Sequence, residues 1–120
     1  MREEDRTTIA ETVQGIPAEE DFTTYTHSFD KPFEWEGKTY EELTFRFGSL
    51  RGRDVVAIMH ELRSRGMVIA AKAFDIDYQY RYAIRCCAQP IDATLLLGLP
   101  ERDFNAICGA AQRFLAGSGR

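Results

Sequence analysis

The spacing of hydrophobic residues changes once along this chain, and that change most restricts the folds open to it. Between residues 25 and 47, apolar side chains recur at every second position, which is typical of half-buried β-strands. From residue 48 onward they recur at intervals of three and four, which is typical of amphipathic helices. The order predicts an α+β fold with an N-terminal β-hairpin followed by a small bundle of three to five α-helices.

The predicted hairpin occupies residues 25–47. Phe33 and Trp35 share one face of the first strand, and Leu43 and Phe45 alternate with polar residues on the return strand. Gly37 supplies the turn between them because glycine adopts a positive φ without steric cost.

Two residues suggest an irregularity in this hairpin. Tyr40 is out of phase with Leu43, so we expect a β-bulge near Glu41-Glu42 that restores the alternation. Pro32 has no N–H to donate, so the first strand should be an edge strand or begin close to it.

The predicted helical part covers residues 48–116. The first helix carries an apolar stripe and ends near Gly66, and Met67 to Phe74 is a candidate second short helix. A further helix begins at Asp75 or Asp77, and Pro90 ends it. The stripe of the first helix consists of Val55, Ile58, Met59 and Leu62.

The last helix is predicted to begin at Pro100, a favoured first-turn residue. Glu101 and Asp103 complement the helix dipole in its first turn. Residues 117–120 should fray. The apolar stripe of this helix consists of Phe104, Ile107, Cys108, Ala111, Phe114 and Leu115.

Charge separates residues 1–24 from the rest of the chain. Residues 1–21 hold seven acidic and two basic residues, a net charge of −5, whereas the whole chain carries −4. We expect residues 1–24 to form a flexible acidic arm, in which Thr8 and Glu11 could cap a transient helix. The remainder is nearly neutral and has no basic stripe, which argues against binding of nucleic acid.

Length and composition indicate a small soluble cytoplasmic protein. The 120 residues suffice for one domain, residues 25–116, with one modest core. No apolar run reaches the roughly 20 residues that span a bilayer, and the first residues, Met-Arg-Glu-Glu-Asp, lack a secretory signal. The three cysteines are an odd number, which fits reduced thiols in apolar packing better than a disulfide framework.

No catalytic or metal-binding arrangement can be assembled from the residues. His60-Glu61 begins like a zinc-protease helix, but Ser64 stands where the second histidine ligand is needed. A Cys86–His60 pair has no support beyond the presence of both residues. Asp75 and Asp77 are explained better as helix caps than as an acid–base pair. We therefore expect a protein that is not an enzyme and has no metal or cofactor.

The segment from Gly48 to Arg53 opens a helix and carries two arginines. Helix N-termini bind anions, so an anion or an acidic partner residue is a candidate ligand there. The segment lacks the lysine of a phosphate-binding loop, however, and a structural turn explains it better.

The surface that packing explains least well lies on the helix that follows Asp75. Phe74, Tyr78, Tyr80 and Tyr82 form an aromatic cluster, and one helix in so small a domain is not expected to bury tyrosines on every side. Tyrosine and arginine often anchor interfaces. Two interpretations stay open, an ordinary core and a partner-binding surface; the candidate binding residues are Tyr78, Arg81, Tyr82 and Arg85.

Three segments, in this order and spacing, resemble the tail assembly chaperones of tailed bacteriophages and prophages over roughly residues 26–116. The acidic arm and the tyrosine-rich helix depart from that family's pattern. The segments are the Gly37-Lys38 turn with the strand Leu43-Thr44-Phe45-Arg46, the helix entry Leu50-Arg51-Gly52-Arg53-Asp54 and the final helix start Leu99-Pro100-Glu101-Arg102-Asp103-Phe104.

The resemblance implies a protein of the bacterial cytoplasm that binds the tape measure protein and keeps it soluble. It also implies recruitment of tail tube subunits, after which the chaperone leaves and is absent from the virion. The family supplies no catalytic residues to transfer to this chain. The alternatives are a structural tail completion or connector protein of the virion, and a small regulator whose acidic arm covers a basic host surface.

Overall fold

The computed structural model describes residues 23–118, in which two β-strands and four α-helices follow one another. This order confirms the predicted α+β fold. Residues 1–22 and 119–120, with most of the predicted arm and the end of the predicted tail, lie outside the described residues. The elements are β1 (Thr24–Trp35), β2 (Lys38–Arg46), α1 (Gly52–Ser64), a 3-10 turn (Lys72–Phe74), α2 (Ile76–Cys86), α3 (Ala93–Leu97) and α4 (Glu101–Ser118).

The two strands form an antiparallel hairpin closed by two residues with positive φ, Glu36 at 50° and Gly37 at 82°. Both values suit the tight turn that matches the twist of paired strands. The predicted irregularity is present at the level of Glu41, but four residues of β1, 29–32, lie opposite it. The additional residues therefore belong to β1 and include Pro32, which cannot donate to the ladder.

The inner face of β2 forms one side of the core. Leu43 and Phe45 are fully buried and Phe47 is nearly so. The chain that leaves α2 runs back along this strand: the Ala88 N–H donates to the Thr44 carbonyl at 2.7 Å. That bond partly covers the exposed edge of β2, and an uncovered edge favours unwanted strand pairing.

Helix α1 follows its predicted stripe, since Ile58 and Leu62 are fully buried, and it ends before Gly66, whose φ is 79°. The predicted helix over Met67 to Phe74 is wrong. Its residues contain only the three-residue 3-10 turn, and Val68 is 91% exposed. A helix this short forms only when packing of an apolar face stabilises it. The residues of this segment are exposed or only half-buried, so such packing is lacking.

Two sequence signals place helices α2 and α4 correctly. The Asp75 carboxylate accepts hydrogen bonds from the Asp77 N–H at 2.9 Å and the Tyr78 N–H at 3.3 Å, so Asp75 caps α2 as predicted. Helix α4 buries the centre of its predicted stripe, including Ile107. It continues to Ser118, so the helix includes the first two residues of the predicted tail, and their fraying stays a prediction.

Candidate functional site

The predicted binding residues on α2 are mostly buried. Tyr78 is 1% exposed, Tyr82 5% and Arg81 8%, and Arg85 alone of the four is exposed. The expectation of an exposed tyrosine–arginine surface is therefore wrong for three residues. The physical reason is that α1, α3, α4, β2 and the 72–74 turn all contact α2, which leaves it no broad solvent face.

Both arginines bind within the chain and fix α2 against α1. The Arg81 Nε atom donates to Glu61 at 3.0 Å, and its guanidinium lies 4.7 Å from the centre of the Tyr80 ring. Arg85 donates to Asp54 at 3.0 Å. Acidic side chains of α1 therefore bind both guanidinium groups that the sequence indicates as candidates for contact with a partner.

Asp54 also accounts for the candidate anion site at the start of α1. Its carboxylate accepts a hydrogen bond from the Arg51 N–H at 2.9 Å while it pairs with Arg85. A carboxylate of the chain itself therefore complements the positive end of this helix dipole. The structural interpretation of this segment explains its residues.

Tyr82 connects the hairpin to the helices. Its ring centre lies 6.1 Å from that of Phe47 and 6.2 Å from that of Phe114, and its hydroxyl accepts a hydrogen bond from the Gly48 N–H at 3.2 Å. Burial raises the pKa of Tyr82 to about 12, so the phenol stays protonated at neutral pH. Tyr82 is a core residue rather than a surface anchor.

A groove of about 590 Å³ lies over α2 and is the candidate binding site. We call it the Phe74 groove because Phe74, at its edge, is 67% exposed. Tyr78 and Tyr82 contribute to its floor, so two of the predicted residues belong to it although they are buried. It is lined by Val55, Ala71, Lys72, Ala73, Phe74, Tyr78, Tyr82, Leu115 and Ala116.

The Phe74 groove is apolar, and its charge comes from one cation. Lys72 is the charged residue among the described residues that line it, and its ammonium lies 5.8 Å from the centre of the Tyr78 ring. Three of the lining residues, Ala71, Ala73 and Ala116, have small side chains, which lets the backbone of a partner approach closely. Such a groove suits the apolar face of a helix.

A second depression, of about 450 Å³, lies at the other end of α1. Met59, Met67 and Val68 line it together with Arg63. Methionine side chains adapt to irregular partners, and Val68 is almost fully exposed. This depression provides a comparison surface of similar apolar character outside the Phe74 groove.

The three cysteines are free thiols in packed surroundings. Burial raises the pKa of Cys86 and of Cys108 to about 11, and it also raises the pKa of Cys87. Thiolate, the reactive form, is therefore scarce at neutral pH. His60, the partner considered for Cys86, lies exposed on α1.

A partly buried chain of hydrogen bonds, not predicted from the sequence, connects β1 to α4. His27 Nε2 lies 2.7 Å from Asp103 Oδ1, and His27 Nδ1 lies 2.8 Å from the Tyr25 hydroxyl. Burial is the main cause that raises the pKa of Tyr25, so its phenol stays protonated. The sequence does not reveal this contact, because an acid at position 103 is fully explained by its favourable interaction with the dipole of α4.

Replacing Asp103 with alanine is expected to lower the free energy of unfolding by about 1–2 kcal/mol, because it leaves His27 buried without its acceptor. Denaturant unfolding measures this loss. Glu101→Ala is the matched control, since Glu101 is an exposed acid in the same first turn and its loss also removes a favourable dipole interaction. Equal losses in the two variants would mean that the bond to His27 contributes nothing measurable.

Within residues 23–118, no cluster of three or more histidine, cysteine or acidic side chains is placed to hold a metal ion. None of the described helices has the length and apolar character needed to cross a membrane. A comparison with protein-family models finds no match, and searches of curated proteins and of solved structures likewise find none.

Proposed function

We propose that this protein is a phage tail assembly chaperone of the bacterial cytoplasm that holds an apolar helical segment of the tape measure protein in the Phe74 groove. The observation that carries the proposal is the apolar groove itself, with an aromatic side chain, Phe74, left 67% exposed at its edge. Large exposed apolar patches on small proteins commonly mark sites of interaction.

The shape and chemistry of the groove support a helix as its ligand. An amphipathic helix presents apolar residues at i, i+3, i+4 and i+7, and such a row fits a groove lined by alanines and aromatic rings. Phe74 and Leu115 lie on elements that flank the floor, so one docked helix would contact both. A tape measure protein exposes long apolar helices before the tail tube encloses it, and covering them would keep it soluble.

The specific identity of the partner comes from the family resemblance over residues 26–116. The same resemblance supports recruitment of tail tube subunits and release before the virion matures. The neutral charge of the described residues, with twelve basic and twelve acidic side chains, favours an apolar partner over nucleic acid.

Co-expression with the tape measure protein tests this proposal. We expect the full chain to co-purify with it and to increase its soluble fraction relative to expression of the tape measure protein alone. A tape measure protein that stays equally insoluble and unbound would contradict the proposal.

Mass spectrometry of purified virions tests the alternative of a structural tail protein. We expect peptides of this chain to be absent from mature particles, and abundant peptides would instead favour a completion or connector component. A pull-down from uninfected host lysate tests the host-regulator alternative, for which a strong host partner is required.

A further inference from the structure

A series of contacts links the Phe74 groove to the start of β1, the strand that follows residues 1–22. Thr24, at the start of β1, pairs with Arg46, and the next residue, Phe47, stacks on Tyr82 at 6.1 Å. Tyr82 contributes to the floor of the groove. Strand pairing and ring stacking therefore connect the start of β1 to the floor of the groove.

The same neighbourhood includes the far end of α4. Phe47 also stacks on Phe114, with ring centres 5.8 Å apart, and Phe114 precedes Leu115, which lines the groove. Gly48 lies against Phe114 as well, because a Cβ atom there would come within 3.2 Å of the ring. The start of β1 and the α4 side of the groove thus meet at one aromatic cluster.

The sequence of the N-terminal segment has the complementary pattern. Ile9, Val13 and Ile16 are spaced by four and three residues, which is the spacing of apolar anchors on a groove-binding helix. The seven acidic residues of the segment also complement Lys72, the cation that lines the groove.

The connection is long enough for this stripe to reach the groove. Residues 17–23 join the stripe to β1, and seven extended residues span about 23 Å. A tethered ligand also needs less intrinsic affinity than a free one, because the tether holds it at an effective concentration near the millimolar range.

We infer that the N-terminal segment is an internal ligand of the Phe74 groove, with Ile9, Val13 and Ile16 as its anchors, and that it competes with the partner helix. This inference rests on the groove named in the proposed function and adds regulation of that site. A partner must displace the segment, so weakly apolar helices are rejected. Because of this competition, the apparent affinity for any helix equals the intrinsic affinity multiplied by the fraction of chains with a free groove.

Hydrogen exchange in the full chain tests the inference directly. The test variant combines Ile9→Ser, Val13→Ser and Ile16→Ser. We expect it to accelerate amide exchange at residues 71–74 and 115–116 by at least about tenfold, which is equivalent to a loss of about 1.4 kcal/mol in the free energy that protects the groove. The matched control replaces three residues outside the stripe by serine, Ala10→Ser, Thr12→Ser and Gln14→Ser, and should leave exchange unchanged. Unchanged exchange in the stripe variant overturns the inference.

A second measurement separates this inference from the proposed function. The probe is a synthetic amphipathic helix of leucine, lysine and glutamate, with leucine at i, i+3, i+4 and i+7. The stripe variant should bind it at least about tenfold more tightly than the unmodified chain does, because the same equilibrium that protects the groove reduces its availability to the probe. If exchange accelerates while neither chain binds the probe, the internal ligand stands and the proposed function fails. If protection at residues 71–74 depends on protein concentration, a second copy covers the groove and the internal-ligand inference is overturned.

Discussion

Replacing Tyr82 with alanine is expected to lower the free energy of unfolding by about 3–5 kcal/mol, the range for removing a large aromatic side chain from a core. Tyr82 is 5% exposed, and its ring stacks on Tyr78, Phe47 and Phe114. Its loss would leave a cavity where the hairpin, α2 and α4 meet. Domains of this size have only about 5–15 kcal/mol of stability, so the variant should be close to unfolding.

The matched variant Tyr82→Phe keeps the ring and removes only the hydroxyl that accepts the Gly48 N–H. We expect a loss of about 1 kcal/mol. Denaturant unfolding of both variants measures the contributions of the ring and of the hydroxyl separately, provided that the slope of the free energy against denaturant concentration is unchanged. If alanine costs no more than phenylalanine, then the aromatic cluster around Tyr82 does not hold the hairpin to the helices.

Local patterns in the sequence were sufficient to predict a hairpin followed by helices. The change from a period of two to helical spacing locates the boundary near Gly48, and Gly37 and Asp75 mark a turn and a cap by local chemistry. Each of these signals acts between residues close in sequence. The predicted bulge is at the right level but on the wrong strand, because a break in the alternation does not show which strand carries the additional residues.

The surroundings of α2 were not accessible to the same reasoning. A helical stripe predicts one buried face and one exposed face, and Tyr78, Arg81 and Tyr82 lie largely outside the predicted stripe of α2, which makes them candidates for a binding surface. In the structure, elements that precede α2 and elements that follow it in sequence both pack against it. The apolar stripe therefore does not separate the buried residues of α2 from the exposed ones. Arg81 is tolerated inside because Glu61 and the Asp77 carbonyl accept its donors.

The candidate site depends on contacts between distant segments. The sequence predicts that the aromatic cluster containing Phe74 is not buried on every side, and Phe74 is indeed 67% exposed. Val55 and Leu115 come from helices far away in sequence, and only the packing of α1 and α4 beside α2 makes them neighbours of Phe74. No local pattern marks such a groove.

Replacing Phe74 with serine is expected to weaken binding of the tape measure protein by at least about tenfold, equivalent to 1.4 kcal/mol. An aromatic residue at the edge of an apolar groove is a typical binding hot spot, because it inserts between side chains of the docked helix. Since Phe74 is 67% exposed, its removal should change the free energy of unfolding by less than about 0.5 kcal/mol. Co-purification and a binding titration measure the first effect, and denaturant unfolding measures the second.

Val68→Ser is the matched control because it also removes an exposed apolar side chain, one that lines the depression at the other end of α1. We expect it to bind the tape measure protein as the unmodified chain does. Loss of binding in both variants would indicate that general surface hydrophobicity, rather than the Phe74 groove, carries the interaction. Normal binding by Phe74→Ser would remove the groove from the proposal, since Phe74 is its most exposed aromatic group and a helix docked there has to contact it.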